Sequence, residues 1–238
     1  MFLRNMRIAV VPPRKMSSNS ITSDQLSKFA DFGKKIVCIG RNYAEHAAEL
    51  GNVVPTKPLI FIKPTSSYLK EGQGKIKLPP DATELHHEVE LGVVIGRAGD
   101  HIPESTAMDH IGGYTLALDM TDRKLQSALK GKGHPWALAK GFDTACPVGG
   151  FVDKAAISDL GNVRLWLKVN GEMKQDGCTK DMIFSVPRII SYISQFMTLE
   201  AGDLILTGTP SGVGPVTSKD VLQAGLGDNL LQMEFSVA

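Results

Sequence analysis

The stretch His86-His87-Glu88-Val89-Glu90-Leu91-Gly92-Val93-Val94-Ile95-Gly96 places acidic residues at the start of an apolar, largely β-branched run. Such a run predicts a β-strand. Because residues two apart in a strand point to the same side, the carboxylates of Glu88 and Glu90 should lie together, with His86 on the same face. Two adjacent carboxylates need a cation, a shared proton or open water at neutral pH. The stretch therefore predicts either ligands for a hard divalent cation, Mg²⁺ or Mn²⁺ first, or a solvated edge strand with two surface acids.

The composition of the chain indicates a globular protein and bears on its possible partners. The 238 residues are 42% hydrophobic, which is ordinary for a globular protein with a substantial core. The net charge of +1 and the absence of a Lys/Arg cluster provide no field for nucleic acid. No apolar run approaches the roughly 18 residues that a membrane-spanning helix needs. We therefore expect neither nucleic acid nor a membrane as a partner.

The cysteines indicate the redox environment. Cys38, Cys146 and Cys178 are far apart and form no paired motif. This spacing argues against a zinc site or a disulfide framework, and it favours a reducing compartment.

Residues 1–25 differ from the rest of the chain. The first 23 residues contain four basic residues, several serines and no acidic residue. This composition is typical of an organellar transit peptide, although Pro12-Pro13 would interrupt a helix early. We predict a transit peptide with a mitochondrial destination; a disordered tail on a cytoplasmic protein is the alternative. Residues 26–238 show no convincing boundary and are predicted to form a single catalytic domain.

The remaining segments predict a fold with more strands than helices. Strands are expected at residues 36–40, 59–63, 89–95, 112–120, 164–169, 172–174, 203–207 and 228–237, and helices at 41–50 (capped by Asn42), after Thr121 and at 185–197. Residues 65–85 are expected to form a loop. Because the helices are not regularly interleaved with the strands, the class is α+β and mainly β rather than a doubly wound sheet.

Two residues of the first predicted helix form a candidate catalytic pair. His46 and Glu49 are three positions apart, so they lie side by side on one helix face. A carboxylate beside an imidazole fixes its tautomer and stabilises its protonated form, as a general base requires. The alternative is a surface pair without a catalytic role.

Two further residues become informative beside the acidic pair. Asp119 lies near the end of the strand predicted at 112–120. Alone it is typical of a turn or cap, but beside Glu88 and Glu90 it would complete a site of three carboxylates. Lys140 is a single cation within the apolar segment 136–142; its ammonium either reaches solvent or faces a substrate carboxylate.

Several motifs in the same order resemble the fumarylacetoacetate hydrolase family, most closely its mitochondrial branch that acts on acylpyruvates and oxaloacetate. The segments that carry the resemblance are Ile39-Gly40-Arg41-Asn42-Tyr43-Ala44-Glu45-His46, His86-His87-Glu88-Val89-Glu90-Leu91-Gly92, Leu118-Asp119-Met120-Thr121, Leu138-Ala139-Lys140 and Leu206-Thr207-Gly208-Thr209-Pro210-Ser211-Gly212-Val213-Gly214. The resemblance covers nearly the whole chain from Ile36 onward.

The resemblance implies a mixed β-roll of this family's C-terminal-domain type and a homodimer. It implies that Mg²⁺ or Mn²⁺ is held by Glu88, Glu90 and Asp119. It implies that His46 and Glu49 form a catalytic dyad on a helix that orders as a lid. Substrate contacts are implied for Lys140, Arg123, Gln126 and Thr209. Relatives commonly have Ala-Arg-Asp where this chain has Asp122-Arg123-Lys124, so the arginine is retained while the local charge pattern differs.

The predicted site suits a small 2-oxo acid. A cation on three carboxylates leaves positions for the carboxylate and keto oxygens of such an acid, and it would stabilise the charge of a pyruvate enolate. One enolate serves acylpyruvate hydrolysis, oxaloacetate decarboxylation and oxaloacetate keto–enol tautomerisation. The sequence leaves open which of them predominates. The alternatives are an isomerase or hydratase of a related 2-oxo acid, and a non-catalytic metal-binding fold.

Overall fold

The computed structural model describes residues 21–49 and 54–238, with the side chains of residues 46–48 left out of the description. The N-terminal extension predicted at residues 1–25 lies outside it except for its last five residues. These belong to the folded part, because helix α1 (Ser23–Leu26) is capped by Thr22 and the Ser23 hydroxyl donates to Asp153 at 2.7 Å. The described fold therefore begins before the predicted boundary at residue 26.

Strands account for most of the regular structure. The strands of the described residues are β1 (Ile36–Gly40), β2 (Leu59–Lys63), β3 (Tyr68–Lys70), β4 (Leu85–His87), β5 (Val89–Ile95), β6 (Ile111–Leu118), β7 (Thr121–Asp122), β8 (Cys146–Val148), β9 (Val152–Asp153), β10 (Arg164–Val169), β11 (Glu172–Cys178), β12 (Leu204–Leu206), β13 (Gly214–Val216), β14 (Val221–Leu226) and β15 (Leu231–Ser236). The helices after α1 are α2 (Phe29–Phe32), α3 (Ala44–Glu49), α4 (Arg123–Gly131), α5 (Ala137–Lys140) and α6 (Val186–Ser194). The predicted α+β, mainly β class is confirmed.

The strands form three sheets. A mixed eight-stranded sheet has the order β2-β1-β12-β5-β6-β8-β3, with β9 also paired to β6. An antiparallel four-stranded sheet has the order β11-β10-β14-β15, and a three-stranded sheet has the order β13-β4-β7. The chain passes from the three-stranded to the eight-stranded sheet at Glu88, between β4 and β5.

Strand β5 lies in the interior of the large sheet. It pairs with β12 on one side and with β6 on the other, and all seven of its residues are buried. The interpretation of this stretch as a solvated edge strand is therefore wrong. The apolar run is continuous because both faces are covered: Leu91 and Val93 pack in the main core, and Val94 packs in a smaller core with Leu26 and Phe29.

The prediction that Asn42 caps the helix expected at residues 41–50 is wrong. Helix α3 begins at Ala44, and the Asn42 side chain instead bonds to the main chain of two distant segments. Its amide donates to Phe184 O at 3.0 Å and Thr207 O at 2.8 Å, and its Oδ1 accepts from Phe184 N at 2.7 Å. Asn42 thus fixes the end of β1 to the segments that precede α6 and follow β12.

Two smaller predictions also need correction. The cap of α4 is Asp122, whose carboxylate accepts from Leu125 N at 3.0 Å, while Thr121 belongs to β7. The loop predicted at residues 65–85 contains β3 and ends in the first residue of β4. Within the described residues, no helix combines the length and the hydropathy that crossing a bilayer requires.

Candidate metal centre

Three carboxylates converge where β5 begins and β6 ends. Antiparallel pairing sets Val89 opposite Leu118, which brings Glu88 and Glu90 beside Asp119. One oxygen of each carboxylate lies within 4.8 Å of the others, and the three residues are 5%, 2% and 1% exposed. In the described part of the chain this is the one cluster of acidic, histidine or cysteine side chains with such spacing. The structure thus brings together the residues that the sequence predicts as metal ligands.

Cationic side chains lie directly against these carboxylates. The Lys140 ammonium is 3.0 Å from Glu88 Oε2 and 2.5 Å from Asp119 Oδ2, and the Arg123 guanidinium pairs with Glu88 Oε1. Lys140 is 2% exposed, so the interpretation that its ammonium reaches solvent is wrong. Burial lowers the pKa of Lys140, but the charges of Asp119 and Glu88 outweigh burial and raise it. Lys140 is therefore protonated at neutral pH.

Glu90 is the least compensated of the three acids. Its Oε2 accepts one hydrogen bond, at 2.6 Å, from Gly208 N. Burial first, then the charges of Asp119 and Glu88, raise the pKa of the Glu90 carboxyl well above its ordinary value. This environment favours additional positive charge beside Glu90, as a divalent cation would supply.

Lys63 lies beneath Asp119 and is fully buried. Its ammonium donates to the carbonyl oxygens of Met120 at 3.2 Å, Ala145 at 2.9 Å and Lys140. Asp119 Oδ1 is only 2.7 Å from Lys63 Nζ, yet this oxygen accepts no hydrogen bond from the described residues. The reason is that a lysine ammonium has three protons, and three carbonyls already accept them.

The site fits a hard divalent cation. A buried carboxylate oxygen without a hydrogen bond is costly unless something else satisfies it. Asp119 Oδ1 is such an oxygen, and it stands in an all-carboxylate donor set with Glu88 and Glu90. Oxygen-only donor sets suit Mg²⁺ and Mn²⁺.

Lys63 is a residue of the site that the sequence motifs do not single out. It ends an apolar strand directly before Pro64. A lysine in an apolar segment was the signal that singled out Lys140, and the same signal applies to Lys63.

A cavity of about 140 Å³ borders the three carboxylates. It is lined by the predicted substrate residues Lys140, Arg123, Gln126 and Thr209. Arg123 and Gln126 are three positions apart in α4, and Arg123 Nη1 donates to Gln126 Oε1 at 2.6 Å. The same arginine thus joins α4 to the acidic cluster. These positions agree with the predicted substrate contacts, which remain a prediction.

The hydroxyl of Thr209 is part of a buried network that no sequence motif predicts. It donates to Val89 O at 2.8 Å and accepts from Gln175 Nε2 at 2.8 Å. Gln175 Oε1 in turn accepts from Val89 N at 3.0 Å and lies 2.9 Å from His87 Nδ1. Gln175 therefore ties β11 and the first residue of β5 to the segment from Gly208 to Gly214, the Gly-rich loop. A single glutamine directly after the strand predicted at residues 172–174 carries no local signal of this role.

The predicted dyad is only partly described. Glu49 ends α3, and its carboxylate accepts from Gly212 N at 3.0 and 3.3 Å. Gly212 has a φ of 91°, and a Cβ there would meet Lys174 O at 1.9 Å, so a glycine is required at this contact. The side chain of His46 lies outside the described residues. The His46–Glu49 pairing stays a prediction.

His86 does not join the acidic cluster. It belongs to β4, in the three-stranded sheet, and its Nε2 lies 2.8 Å from Glu84 Oε1. Its Nδ1 faces Arg123 Nε at 3.4 Å. Burial and then the charge of Arg123 lower the pKa of His86, so its ring is neutral at pH 7 and accepts from the arginine.

A family model described as fumarylacetoacetate (FAA) hydrolase C-terminal matches residues 35–234. The chain belongs to this family. It is 55% identical over 212 residues to a Dictyostelium discoideum protein named "Oxaloacetate decarboxylase, mitochondrial", covering 89% of this chain and 97% of that one. It is 57% identical over 205 residues to an Arabidopsis thaliana protein named "Oxaloacetate tautomerase FAHD1, mitochondrial", covering 86% and 91%.

Solved structures of the fumarylacetoacetate hydrolase family share the fold. Fumarylpyruvate hydrolase from Pseudomonas aeruginosa, in complex with Mn²⁺ and pyruvate, matches with a TM-score of 0.82 and 34% identity, covering 86% of this chain and 89% of that one. The resemblance and the mixed β-roll inferred from the motifs are thereby confirmed.

Proposed function

We propose that this protein is a divalent-metal-dependent enzyme that acts on small 2-oxo acids through an enolate, which is pyruvate enolate in hydrolysis and decarboxylation and oxaloacetate enolate in tautomerisation. The reactions are acylpyruvate hydrolysis, oxaloacetate decarboxylation and oxaloacetate keto–enol tautomerisation. The observation that carries the proposal is the buried group of Glu88, Glu90 and Asp119, with Lys140 and Arg123 against it, at the border of a small cavity. The names of the similar proteins, which include an oxaloacetate decarboxylase and an oxaloacetate tautomerase, support the choice of substrate.

The three carboxylates would hold Mg²⁺ or Mn²⁺. The Mn²⁺ in the similar fumarylpyruvate hydrolase and the oxygen-only donor set support either ion. A cation held there supplies Lewis acidity, which withdraws electrons from a 2-oxo group.

The cationic residues would bind and orient the substrate. Lys140 and Arg123 neutralise the carboxylate next to the keto group, and Gln126, held by Arg123, adds a polar contact. Thr209 borders the same cavity, and its position is set by Val89 and Gln175. Because these groups are already oriented by protein contacts, little reorganisation is required when the substrate binds.

His46 would move the proton, with Glu49 holding its imidazole. In hydrolysis it removes a proton from the water that attacks the distal carbonyl. In tautomerisation it moves a proton at C3 of oxaloacetate. Decarboxylation has no attacking water, so it should depend less directly on His46.

The subcellular location and the oligomeric state are also proposals. We propose a mitochondrial location, supported by the composition of residues 1–25 and by the word "mitochondrial" in the names of similar proteins. Fusing residues 1–25 to a fluorescent reporter tests it, and a diffuse cytosolic signal would contradict it. We also propose a homodimer, on the family resemblance, in which residues 26–238 form the catalytic domain together with residues 21–25, which pack onto it. Light scattering would measure its mass.

The test of the reaction follows three substrates in parallel. Purified protein with Mg²⁺ is assayed on acetylpyruvate, keto-oxaloacetate and enol-oxaloacetate, each with and without EDTA. We expect EDTA-sensitive turnover of at least one of them, and loss of every activity in Glu88→Ala. Absence of EDTA-sensitive turnover of all three would overturn the proposal.

The dyad is tested by His46→Ala. We expect acetylpyruvate hydrolysis to fall on the order of 10²- to 10⁴-fold, the contribution of a positioned base. Decarboxylation should fall less. The matched control is His101→Ala, since His101 is exposed and lies outside the cavity lining. If hydrolysis survives in His46→Ala, the proposed catalytic role of His46 and Glu49 is wrong, whereas the proposed metal site is not affected by this result.

A further inference from the structure

Two cationic residues border the cavity without a role in the chemistry assigned above. They are Arg41, which directly follows β1, and Lys130 in α4. A 2-oxo acid held by its carboxylate and keto oxygens needs only Lys140 and Arg123 for charge neutralisation. Arg41 forms no hydrogen bond or ion pair with the residues that the structure describes. Its charge is therefore available to a ligand in the cavity.

The backbone at Arg41 adopts a conformation that disfavours a non-glycine side chain. Its φ is 58°, in the left-handed region, where the Cβ of a non-glycine residue crowds the following carbonyl. Glycine or asparagine occupies this region with less strain. A long cationic side chain on a strained residue at the border of a binding cavity is typical of a functional position.

The charges around the cavity favour a dianionic ligand. The buried cluster balances three carboxylates, of Glu88, Glu90 and Asp119, against three cations, of Lys63, Lys140 and Arg123. A bound divalent cation would leave this cluster with a charge of two positive units, before Arg41 and Lys130 are considered. A 2-oxo acid with one carboxylate neutralises only part of that charge. A 2-oxo acid with two carboxylates carries two negative charges, so its first carboxylate can face the cluster and its cation while the second faces Arg41.

We propose that Arg41 binds the second carboxylate of a dicarboxylic 2-oxo acid and so determines specificity. The proposal rests on the proposed function, because it assumes that the first carboxylate and the keto oxygen occupy the site of the three acids. The guanidinium is suited to this role because its planar donors match a carboxylate. An acylpyruvate with an uncharged distal group would gain nothing from Arg41.

This contact also affects which reaction oxaloacetate undergoes. In decarboxylation the C3–C4 bond breaks, its electron pair stays with C3 and is delocalised to the 2-oxo oxygen, and C4 leaves as uncharged CO₂. A guanidinium on the C4 carboxylate stabilises the reactant more than this transition state, in which the carboxylate charge disappears. In tautomerisation a proton leaves C3 and another is added to the keto oxygen, so the C4 carboxylate keeps its charge throughout. Arg41 therefore favours tautomerisation over decarboxylation.

The test variant is Arg41→Asn, because asparagine tolerates the left-handed backbone. We expect the KM for oxaloacetate in tautomerisation to rise about 10- to 100-fold, the loss of one hydrogen-bonded charge contact. The kcat/KM for acetylpyruvate should stay unchanged, and the ratio of pyruvate release to tautomerisation of oxaloacetate should rise. Arg41→Lys should restore part of the affinity, since it keeps the charge but not the planar donors.

Two controls separate this role from others. Arg97→Gln removes the same kind of charge from an exposed residue beyond the far end of β5, and it should leave both substrates unaffected. Arg41→Gly should have an unfolding temperature equal to or above that of the wild type, because glycine relieves the strained φ. A large fall in the unfolding temperature of Arg41→Gly would make Arg41 a structural residue and overturn the proposal.

The outcomes distinguish this inference from the proposed function. Wild-type protein that turns over acetylpyruvate or oxaloacetate upholds the proposed function, whatever Arg41 does. If Arg41→Asn then reduces turnover of both substrates equally, or leaves the KM for oxaloacetate unchanged, only the role of Arg41 is overturned. Wild-type protein that turns over neither substrate overturns both.

Discussion

Ion pairs of equal length occur in two contrasting regions of this molecule. In the buried acidic cluster, Lys63 Nζ lies 2.7 Å from Asp119 Oδ1, and the two side chains are 0% and 1% exposed. On the four-stranded sheet, Arg164 Nε lies 2.7 Å from Asp176 Oδ1, with side chains 43% and 46% exposed. Water screens the second pair and not the first, so the same distance corresponds to different energies. Removing Lys63 leaves Lys140 as the one described cation beside Asp119, so a buried charge loses part of its compensation.

The largest effect is expected from removing the buried cation. Lys63→Met should lower the free energy of unfolding by about 3–5 kcal/mol, because Asp119 would keep a buried charge and three carbonyls would lose their donor. Urea denaturation in EDTA measures this loss. Lys70→Met is the matched control, since Lys70 pairs with Asp31 at the surface. A loss no larger than that of the control would contradict the contrast between the regions.

Metal binding should stabilise the acidic cluster without affecting the four-stranded sheet. At a Mg²⁺ concentration 100 times its Kd, the free energy of unfolding should rise by about 2.7 kcal/mol, because the ion binds only the folded state. Thermal unfolding with and without Mg²⁺ measures the rise. Glu90→Gln should abolish it, whereas Glu104→Gln, at an exposed acid, should not. An equal rise in both variants would place the ion elsewhere.

An intermediate loss of stability is expected from breaking the uncharged hydrogen-bond network of Gln175, Thr209 and Val89. Gln175→Leu should lower the free energy of unfolding by about 1–3 kcal/mol, because Val89 N and His87 Nδ1 would be buried without Gln175 Oε1 as their partner. Gln223→Leu is a matched change elsewhere on the same four-stranded sheet, where Gln223 Nε2 donates to Glu234 at an exposed position. The two variants are compared by urea denaturation. Similar losses would indicate that burial does not control these bonds.

The smallest effect is expected from the exposed pair. Arg164→Gln should change the free energy of unfolding by less than about 1 kcal/mol. At about 1 M salt the difference should disappear, since the screening length falls to about 3 Å. The loss in Lys63→Met should persist at the same salt concentration. Urea titrations of both variants at low and high salt provide the comparison, and a salt-independent loss in Arg164→Gln would argue against screening.

The parts of the site that could be predicted from sequence are those whose signal is local. Glu88 and Glu90 stand two apart at the start of an apolar run, and Asp119 follows another such run. Antiparallel pairing of the two strands then brings the three acids together. The hairpin around Asn170-Gly171 was predictable for the same reason, since its turn residues lie between the two strands they join.

The parts that could not be predicted depend on partners far away in the chain. Lys63 is 56 residues before Asp119, and its ammonium binds carbonyl groups, which every residue possesses and no sequence pattern marks. The role of Gln175 could not be predicted either, because its partners belong to β5 and the Gly-rich loop, which are distant in the chain. The cap predicted at Asn42 was wrong because tertiary hydrogen bonds of that side chain prevailed over its local preference for a cap.

Asn42 also has a consequence for how this protein tolerates sequence change. All three hydrogen bonds of its side chain go to main-chain atoms, of Phe184 and Thr207. Those two positions can therefore exchange side chains during evolution without losing these bonds, as long as the backbone path is kept. Asn42 itself has no such freedom, because only its amide supplies both donors and the acceptor in this geometry. The constraint on a junction of three segments thus rests on one position, while its partners are left free to diverge.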